Sequence, residues 1–199
     1  VIGGGVVGDN AAAMAVGMGA DVTILDRSIP RLRQLDAKYE GRARCVYSTV
    51  AAIEEYALDA DLVIGAVLIP GAAAPKLLTR DIISRMKKGA VVVDVAIDQG
   101  GCFETSEPTT HDDPIIIKED IIHYAVTNMP GAVPFTSTTA LTNATLSFAL
   151  QLANKGWEKA CIENKALAKG LNVVKGKVVY KEVAEAFNLE YIELASILN

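Results

Sequence analysis

The chain opens with Val1-Ile2-Gly3-Gly4-Gly5-Val6-Val7-Gly8, a glycine-rich turn after two β-branched residues. Gly3, Gly5 and Gly8 have the G-x-G-x-x-G spacing. The first glycine of this motif makes a tight turn from strand to helix, the second lets a pyrophosphate approach the backbone, and the third lets the helix pack on the strand. We expect the first helical turn, at Val6 and Val7, to face the pyrophosphate with its N–H groups.

An acidic residue follows at the distance that dinucleotide sites require. The next apolar run, Val22-Thr23-Ile24-Leu25, ends on Asp26. A carboxylate there accepts hydrogen bonds from ribose hydroxyls and repels a 2′-phosphate. The motif and the acid together predict a dinucleotide site in a β-α-β unit, with NAD favoured over NADP.

The composition excludes several classes of partner. The chain has 199 residues, of which 51% are apolar, and a formal net charge of −5, so it can bury a core but has no basic stripe for a nucleic acid. No apolar run reaches the roughly 18–20 residues that cross a bilayer. Three widely spaced cysteines, Cys45, Cys102 and Cys161, favour reduced thiols over a disulfide framework or a metal site. We expect a cytoplasmic protein without nucleic-acid, membrane or metal partners.

Strand and helix patterns alternate through the first two thirds of the chain. Several strand patterns are apolar throughout, as in parallel strands that are covered on both faces. Such alternation predicts an α/β fold of the Rossmann type, with a doubly wound parallel sheet. The predicted helices cover residues 9–19, 29–39, 50–56 and 79–86, and the predicted strands cover 22–25, 44–47, 61–68, 90–95 and 121–126.

The pattern changes from Pro130-Gly131 and Pro134 onward. We predict helices over 137–155, 158–168 and 181–187, and a hairpin around Lys175-Gly176. This tail is too small to form its own core. We therefore assign 1–134 to a dinucleotide-binding domain and 135–199 to the C-terminal segment of a substrate domain whose main body lies outside this sequence. Because only Val1 and Ile2 remain of the first strand, we expect the sequence to be part of a longer chain.

Several stretches go beyond a generic dinucleotide-binding domain. They are Gly65-Ala66-Val67-Leu68-Ile69-Pro70-Gly71-Ala72, Val93-Asp94-Val95-Ala96-Ile97-Asp98-Gln99-Gly100-Gly101-Cys102-Phe103-Glu104, Thr127-Asn128-Met129-Pro130-Gly131, Ala140-Leu141-Thr142-Asn143-Ala144-Thr145 and Asn164-Lys165-Ala166-Leu167-Ala168-Lys169-Gly170-Leu171. In this order they resemble the bacterial L-alanine dehydrogenases, which share a superfamily with the NAD-binding part of proton-translocating transhydrogenase. The resemblance covers essentially the whole chain. The N-terminal substrate domain of that family, which supplies a carboxylate-binding Arg and Lys and a catalytic His, is missing from it.

The resemblance assigns site residues at the carboxyl ends of the predicted strands, where open α/β sheets bind ligands. It implies that Arg31 and Ser48 lie at the adenosine end of the cofactor, and that the backbone of Val67 and Leu68 lines the cofactor. The complete predicted cofactor site is Gly3, Gly5, Val6, Val7, Gly8, Asp26, Arg31, Ser48, Val67, Leu68, Val95, Ala96, Ile97, Asp98, Val126, Thr127, Asn128 and Met129. At Glu107 the family often has a basic residue, so we leave this position out of the site.

Asp98 has two interpretations from the residues alone. It either caps the turn Gln99-Gly100-Gly101 or takes part in chemistry, and the resemblance implies that it is the catalytic aspartate. The histidines, His111 and His123, lie in a polar loop and in a strand pattern, and we assign neither to catalysis.

The resemblance implies reversible NAD-dependent oxidative deamination of L-alanine to pyruvate and ammonia. It also implies a homo-oligomer, a hexamer at full length, and an inactive enzyme when this chain is alone. Two other functions stay open. One is the NAD(H)-binding subunit of a transhydrogenase, which is disfavoured because Ala96-Ile97-Asp98-Gln99 keeps an acid where that branch typically has an uncharged residue. The other is a non-catalytic NAD-binding regulatory module.

Overall fold

A computed structural model of the chain describes residues 1–67 and 74–197. These residues form two units, one with residues 1–67 and 74–129 and one with residues 130–197. The domain boundary that the sequence places after Pro134 stays a prediction.

A mostly parallel sheet forms the centre of the first unit. Ile2 pairs in parallel with Leu25 on one side and with Gly65 on the other, so it joins the two strands that contain these residues into one sheet. The strands are β1 (Val22–Asp26), β2 (Ala43–Tyr47), β3 (Leu62–Gly65), β4 (Val91–Asp94), β5 (Ile115–Lys118) and β6 (Ile121–Tyr124). The strand order is β2-β1-Ile2-β3-β4-β6-β5, and only the edge strand β5 is antiparallel among the described strands of this sheet. The predicted α/β fold with a parallel sheet is confirmed.

Helices cover both faces of this sheet. Three of them begin after a hydroxyl side chain that accepts a hydrogen bond from the first turn, at Ser28, Thr49 and Thr79, as helix N-caps commonly do. The helices are α1 (Val6–Gly17), α2 (Ile29–Tyr39), α3 (Val50–Asp59) and α4 (Arg80–Ser84), and a 3-10 helix (Ile97–Gln99) follows β4.

Successive residues of β1 point to opposite faces, as the two-residue period of a strand requires. Ile24 packs with Leu35 of α2 in one buried cluster, whereas Leu25 packs with Ile53 of α3 and Ile83 of α4 in the other. Two cores on opposite faces of one sheet are the signature of a doubly wound fold. Because β1, β2, β3, β4 and β6 pair in parallel, their carboxyl ends lie at the same edge of the sheet.

The edge strand β5 was not predicted from the sequence. It pairs with β6 in the register Ile115↔Tyr124 to Lys118↔Ile121. The two-residue turn between them consists of Glu119 and Asp120, with φ of 55° and 61°. Positive φ at both positions marks a tight hairpin, for which Asn-Gly is the usual sequence signal.

The second unit consists of helices and a small hairpin. The single helix predicted over 158–168 is wrong, because the side chain of Asn164 accepts hydrogen bonds from Ala166 and Leu167 and starts a new helix. No residue of α5 is buried, although this helix is described along its whole length. No helix in the described part of the chain has the length and apolarity to cross a membrane. The elements are α5 (Pro134–Lys155), α6 (Trp157–Glu163), α7 (Lys165–Ala168), β7 (Val173–Val174), β8 (Lys177–Val178) and α8 (Lys181–Phe187).

Candidate functional site

The glycine loop, residues 3–8, is closely packed at three of its glycines and open at the fourth. A Cβ atom on Gly3 would lie 2.8 Å from the carbonyl oxygen of Ala66, and Gly3 has a φ of 98°. A Cβ on Gly4 would lie 2.6 Å from Leu35, and one on Gly8 would collide with the carbonyl oxygen of Gly3. A Cβ on Gly5 would meet no atom within 4 Å. Gly5 therefore borders the open space that the motif assigns to a pyrophosphate.

The N-terminus of α1 lies directly behind this opening. Gly5 is its N-cap, and no side chain in the described structure caps the helix. The exposed residues Val6 and Val7 form the first turn. Uncapped N–H groups and the positive end of the helix dipole make such a terminus a binding site for an anion.

Asp26 ties the glycine loop to the start of α2. Its Oδ2 accepts a hydrogen bond from the Gly4 N–H at 2.7 Å, and its Oδ1 accepts one from the Ser28 N–H at 2.8 Å. The carbonyl oxygen of Asp26 accepts a hydrogen bond from the Ser48 N–H at 3.0 Å, so the last residue of β1 meets the residue that follows β2, and both are predicted site residues. Each carboxylate oxygen can accept a second hydrogen bond, and Asp26 therefore retains acceptor capacity for ribose hydroxyls.

Arg31 braces the same loop from α2. Its Nε donates to the Gly4 carbonyl oxygen at 2.6 Å, and its Nη2 donates to Asp9 at 2.9 Å. Desolvation opposes ionisation of Asp9, but hydrogen bonds from Lys38, Tyr39 and Arg31 outweigh it and lower the pKa of Asp9. The predicted contact of Arg31 with the adenosine end stays a prediction, to which the structure adds this bracing.

The ends of β3 and β4 bring the next predicted residues to the same edge. Val67 lies beside the glycine loop, with its Cγ2 3.0 Å from a Cβ built on Gly3. The N–H of Val95 donates to the Gly65 carbonyl oxygen at 3.0 Å, and Ala96 then leads into the 3-10 helix that carries Asp98. Leu68 lies outside the described residues.

Asp98 meets Asn128, which follows β6. The Asn128 N–H donates to both carboxylate oxygens, at 3.3 and 3.4 Å. Within the described structure, the Asp98 side chain makes no hydrogen bond to the turn Gln99-Gly100-Gly101, so its bonding differs from that of a turn cap. Val126 and Thr127 precede Asn128 and join the segment at Thr109, whose carbonyl oxygen accepts from the Thr127 N–H at 3.1 Å. Met129 starts the 3-10 helix Met129–Ala132.

Two charged residues that the sequence analysis missed hold the turn after Asp98. Asp94 is only 1% exposed and accepts hydrogen bonds from the N–H groups of Cys102 and Phe103, at 2.9 and 3.1 Å. Burial, and then Asp94, raise the pKa of the Cys102 thiol. Lys76 donates to the carbonyl oxygens of Gly100 and Gly101, at 2.6 and 2.9 Å. One signal was available for Asp94: a single carboxylate ends the apolar run 91–93.

Neither histidine is placed as a free base. His123 is fully buried, its Nδ1 lies 3.0 Å from the carbonyl oxygen of Ile121 and its Nε2 lies 2.7 Å from Thr105 Oγ1. The carbonyl oxygen only accepts, so Nδ1 carries the proton and Nε2 accepts from the hydroxyl. Burial lowers the pKa of His123. His111 is bonded through Nε2 to the carbonyl oxygen of Asn128 at 3.0 Å.

Glu107 is engaged away from the predicted cofactor residues. It forms an ion pair with Lys118 of β5, and the hydrogen bond from Lys118 lowers the pKa of Glu107. The described residues contain no group of three or more His, Cys, Asp or Glu side chains that is arranged to hold a metal ion.

Comparisons with known proteins agree with this arrangement. Residues 1–181 match the family profile described as alanine dehydrogenase/PNT, C-terminal domain, a family of NAD(H)-binding domains. The chain is 63% identical over 198 residues to an alanine dehydrogenase of Halomonas elongata, covering 100% of this chain and 53% of the relative. It is 57% identical over 200 residues to alanine dehydrogenase 2 of Staphylococcus aureus strain MRSA252, covering 100% and 54%.

Solved structures give the same result. An L-alanine dehydrogenase superposes with a TM-score of 0.84 at 49% identity, covering 94% of this chain and 52% of the other. A transhydrogenase from Sinorhizobium meliloti superposes with a TM-score of 0.71 at 27% identity, covering 90% and 48%. The chain thus spans about half the length of the relatives that it matches. With a family match over residues 1–181, the chain belongs to the alanine dehydrogenase/PNT C-terminal domain family.

Proposed function

We propose that this chain is the NAD(H)-binding part of an NAD-dependent L-alanine dehydrogenase. The observation that carries the proposal is the shared sheet edge: the open position at Gly5, the carboxylate of Asp26 and the exposed carboxylate of Asp98 all lie at or just after the carboxyl ends of parallel strands. Similarity to alanine dehydrogenases over the whole chain supports the choice of substrate.

The residues at this edge fit a dinucleotide in three respects. Gly5 and the uncapped N-terminus of α1 offer space and N–H groups for a pyrophosphate. Asp26 would hold the adenosine ribose, with Arg31 and Ser48 beside it. Residues 95–98 and 126–129 would line the nicotinamide end, and the backbone of Val67 and Leu68 would also line the cofactor. The negative charge of Asp26 favours NAD over NADP.

The bound cofactor would supply the hydride acceptor, and the protein supplies placement and charge. Oxidation of the Cα–N bond of L-alanine leaves positive charge on the substrate nitrogen. The carboxylate of Asp98 would balance that charge and orient the water that releases ammonia, or the ammonia of the reverse reaction. The proton-transferring His and the Arg and Lys that bind the substrate carboxylate belong to a part of the enzyme outside this chain.

Experiments on this chain and on a chimera test the proposal in turn. Calorimetry on this chain should show NAD binding and weaker NADP binding, and the chain should form no NADH from L-alanine. A chimera in which this chain replaces the matching half of the Halomonas elongata enzyme should form NADH from L-alanine. Light scattering of the chimera tests the proposed hexamer.

The outcomes separate the three candidate functions. A folded chimera that binds NAD but leaves L-alanine unchanged would contradict the dehydrogenase assignment and favour a regulatory module. Sustained turnover by this chain alone would contradict the assignment of the substrate-binding residues to another part of the enzyme. The structural similarity to a transhydrogenase supports a role as the NAD(H)-binding subunit of such an enzyme only as far as the shared domain. Hydride exchange between NADH and NADP by a reconstituted membrane complex would test that role.

A further inference from the structure

The turn that follows Asp98 is held from two sides by opposite charges. On one side, the carbonyl oxygens of Gly100, Gly101 and Phe103 converge on Lys76 Nζ, at 2.6, 2.9 and 3.4 Å. On the other side, the buried carboxylate of Asp94 accepts hydrogen bonds from the N–H groups of Cys102 and Phe103. Charge-assisted hydrogen bonds of this kind are stronger than neutral ones. Lys76 therefore fixes carbonyl oxygens of the turn, and Asp94 fixes its N–H groups.

Close packing and further hydrogen bonds also restrict the backbone of this turn. Gly100 and Gly101 have φ of 86° and 73°, and a Cβ on Gly101 would lie 2.8 Å from Asp94 Oδ2. The segment that carries Lys76 runs alongside the turn, since the Ala74 N–H donates to the Gln99 carbonyl oxygen at 3.1 Å and the Leu77 N–H donates to that of Cys102 at 2.7 Å.

Asp98 depends on this turn for its position. Its only side-chain hydrogen bonds within the described structure are the long contacts of 3.3 and 3.4 Å from the Asn128 N–H. Three backbone hydrogen bonds span it: the Gln99 and Gly101 N–H groups donate to the carbonyl oxygen of Ala96, at 2.9 and 3.0 Å, and the Gly100 N–H donates to that of Ile97, at 3.0 Å. The backbone of the turn, more than the bonding of the carboxylate itself, therefore sets where the carboxylate lies.

We propose that Lys76 is a positioning residue for Asp98, acting through the carbonyl oxygens of the Gly100-Gly101 corner. This inference rests on the proposed function, in which Asp98 faces the substrate nitrogen. Without the ammonium group the corner consists of two adjacent glycines with no side-chain restraint on their carbonyls, and glycine has the largest backbone freedom. The Asp94 contacts would keep the turn folded but would hold only its N–H side.

The first test compares the effect of a substitution on kcat with its effect on the Kd of NAD, both measured in the chimera. Lys76→Met keeps the length of the side chain and removes the donor. We expect kcat to fall roughly 10- to 100-fold, the cost of a misplaced group, while the Kd of NAD and the melting temperature change little. Lys76→Arg should recover part of kcat because a guanidinium also donates to carbonyl oxygens. The matched control is Lys88→Met, which removes an exposed surface pair with Asp120. An unchanged kcat, or a Kd of NAD that rises in step with the loss of kcat, would overturn the proposal.

The second test needs no catalytic activity. Hydrogen exchange of this chain should show the amides of Gly100 and Gly101 exchanging at least roughly tenfold faster in Lys76→Met, with the amides of β1 unchanged. Unchanged exchange at these two amides would overturn the positioning role. If the chimera with the native lysine makes no NADH from L-alanine while exchange responds as expected, the proposed function fails and the restraint on the turn stands.

Discussion

The backbone N–H of Asn128 points at the carboxylate of Asp98, with the nitrogen 3.3 Å from Oδ2 and 3.4 Å from Oδ1. Asn128 has a φ of 52°, and its carbonyl oxygen accepts a hydrogen bond from His111. The contact links the carboxyl ends of two neighbouring parallel strands, β4 and β6. Because the hydrogen bond is long and Asp98 is exposed, the carboxylate keeps most of its acceptor capacity for a ligand.

Asp98→Asn in the chimera should lower kcat roughly 100-fold or more, the range for a positioned charge-stabilising or acid–base group. The substitution is nearly isosteric and keeps one oxygen to accept from Asn128, so the turn should survive. Steady-state kinetics and NAD calorimetry measure the two effects, and we expect the Kd of NAD to stay within about twofold. Asp112→Asn, at an exposed loop position, is the control. Near-normal turnover of Asp98→Asn would leave the aspartate without a catalytic function.

Two alanine substitutions in the glycine loop should affect different properties, one the affinity for NAD and the other the stability of the fold. Gly5→Ala places its methyl group in open space at a φ of −66°, so stability should be retained while the methyl group obstructs the pyrophosphate and weakens NAD binding roughly tenfold or more. Gly8→Ala collides with the Gly3 carbonyl oxygen. We expect it to cost about 1–3 kcal/mol of stability, which exceeds the gain of at most about 1 kcal/mol in helix propensity.

Calorimetry and urea unfolding on this chain distinguish the two glycine variants. Each variant is the control for the other, since both add one methyl group to the same loop. Wild-type NAD affinity in a stable Gly5→Ala protein would contradict the assignment of this opening to the pyrophosphate.

Asp26→Ala should weaken NAD binding and reduce the preference for NAD over NADP. The loss of charge-assisted hydrogen bonds to the ribose costs about 1.5–3 kcal/mol. The alanine also removes the acceptor of Gly4 and Ser28, so Asp26→Asn, which keeps one oxygen and loses the charge, separates the two causes. Calorimetry with both dinucleotides gives the result, with Asp21→Ala, an exposed position just before β1, as the control. An unchanged Kd of NAD in both Asp26 variants would rule out the ribose contact.

The fold was predictable because its signals are local. The glycine loop, the apolar strands and the hydroxyl caps each lie within a few consecutive residues, and they agree with one another. The hairpin of β5 and β6 was not predictable in this way, because Glu119 and Asp120 adopt positive φ without the Asn-Gly signal. The break at Asn164 was missed for a related reason: asparagine is a weak helix former but ends a helix only in some contexts.

The candidate site was likewise predictable only where its sequence signals are local. Motif spacing places Asp26 and the glycine loop at the ends of two neighbouring strands, and the structure brings Asp98 and Asn128 together. Lys76 was missed because its contacts are with backbone carbonyl oxygens about 25 residues further along the chain, and a carbonyl oxygen carries no sequence information. The close approach of the turn to Asp94 likewise arises from the tertiary fold and is absent from any local pattern.

The buried histidine gives the protein a defined pH dependence. Burial lowers the pKa of His123 below the ordinary value of 6.5, against the opposing effect of its hydrogen bond to Ile121. The unfolded chain therefore takes up a proton at about pH 6.5, whereas the folded chain takes it up only at lower pH. As the pH falls below about 6.5, the free energy of unfolding should decrease, by at most about 1.4 kcal/mol per pH unit from this group.

Urea unfolding of this chain between pH 7.5 and about pH 5 measures the total slope, which also contains the amino group of Val1, because burial lowers its pKa from 8.0 to about 6. The difference in slope between the wild type and His123→Gln is therefore the contribution of His123. The carboxyl groups with lowered pKa, such as those of Asp9 and Glu107, titrate below this window, because their ordinary values are already under about pH 5. His123→Gln keeps a neutral hydrogen-bonding side chain beside Thr105 and should flatten the slope, whatever its stability at pH 7.5. Exposed His111→Gln is the control for loss of one histidine. A His123→Gln protein that loses stability with falling pH as steeply as the wild type would show that His123 is not the group that titrates.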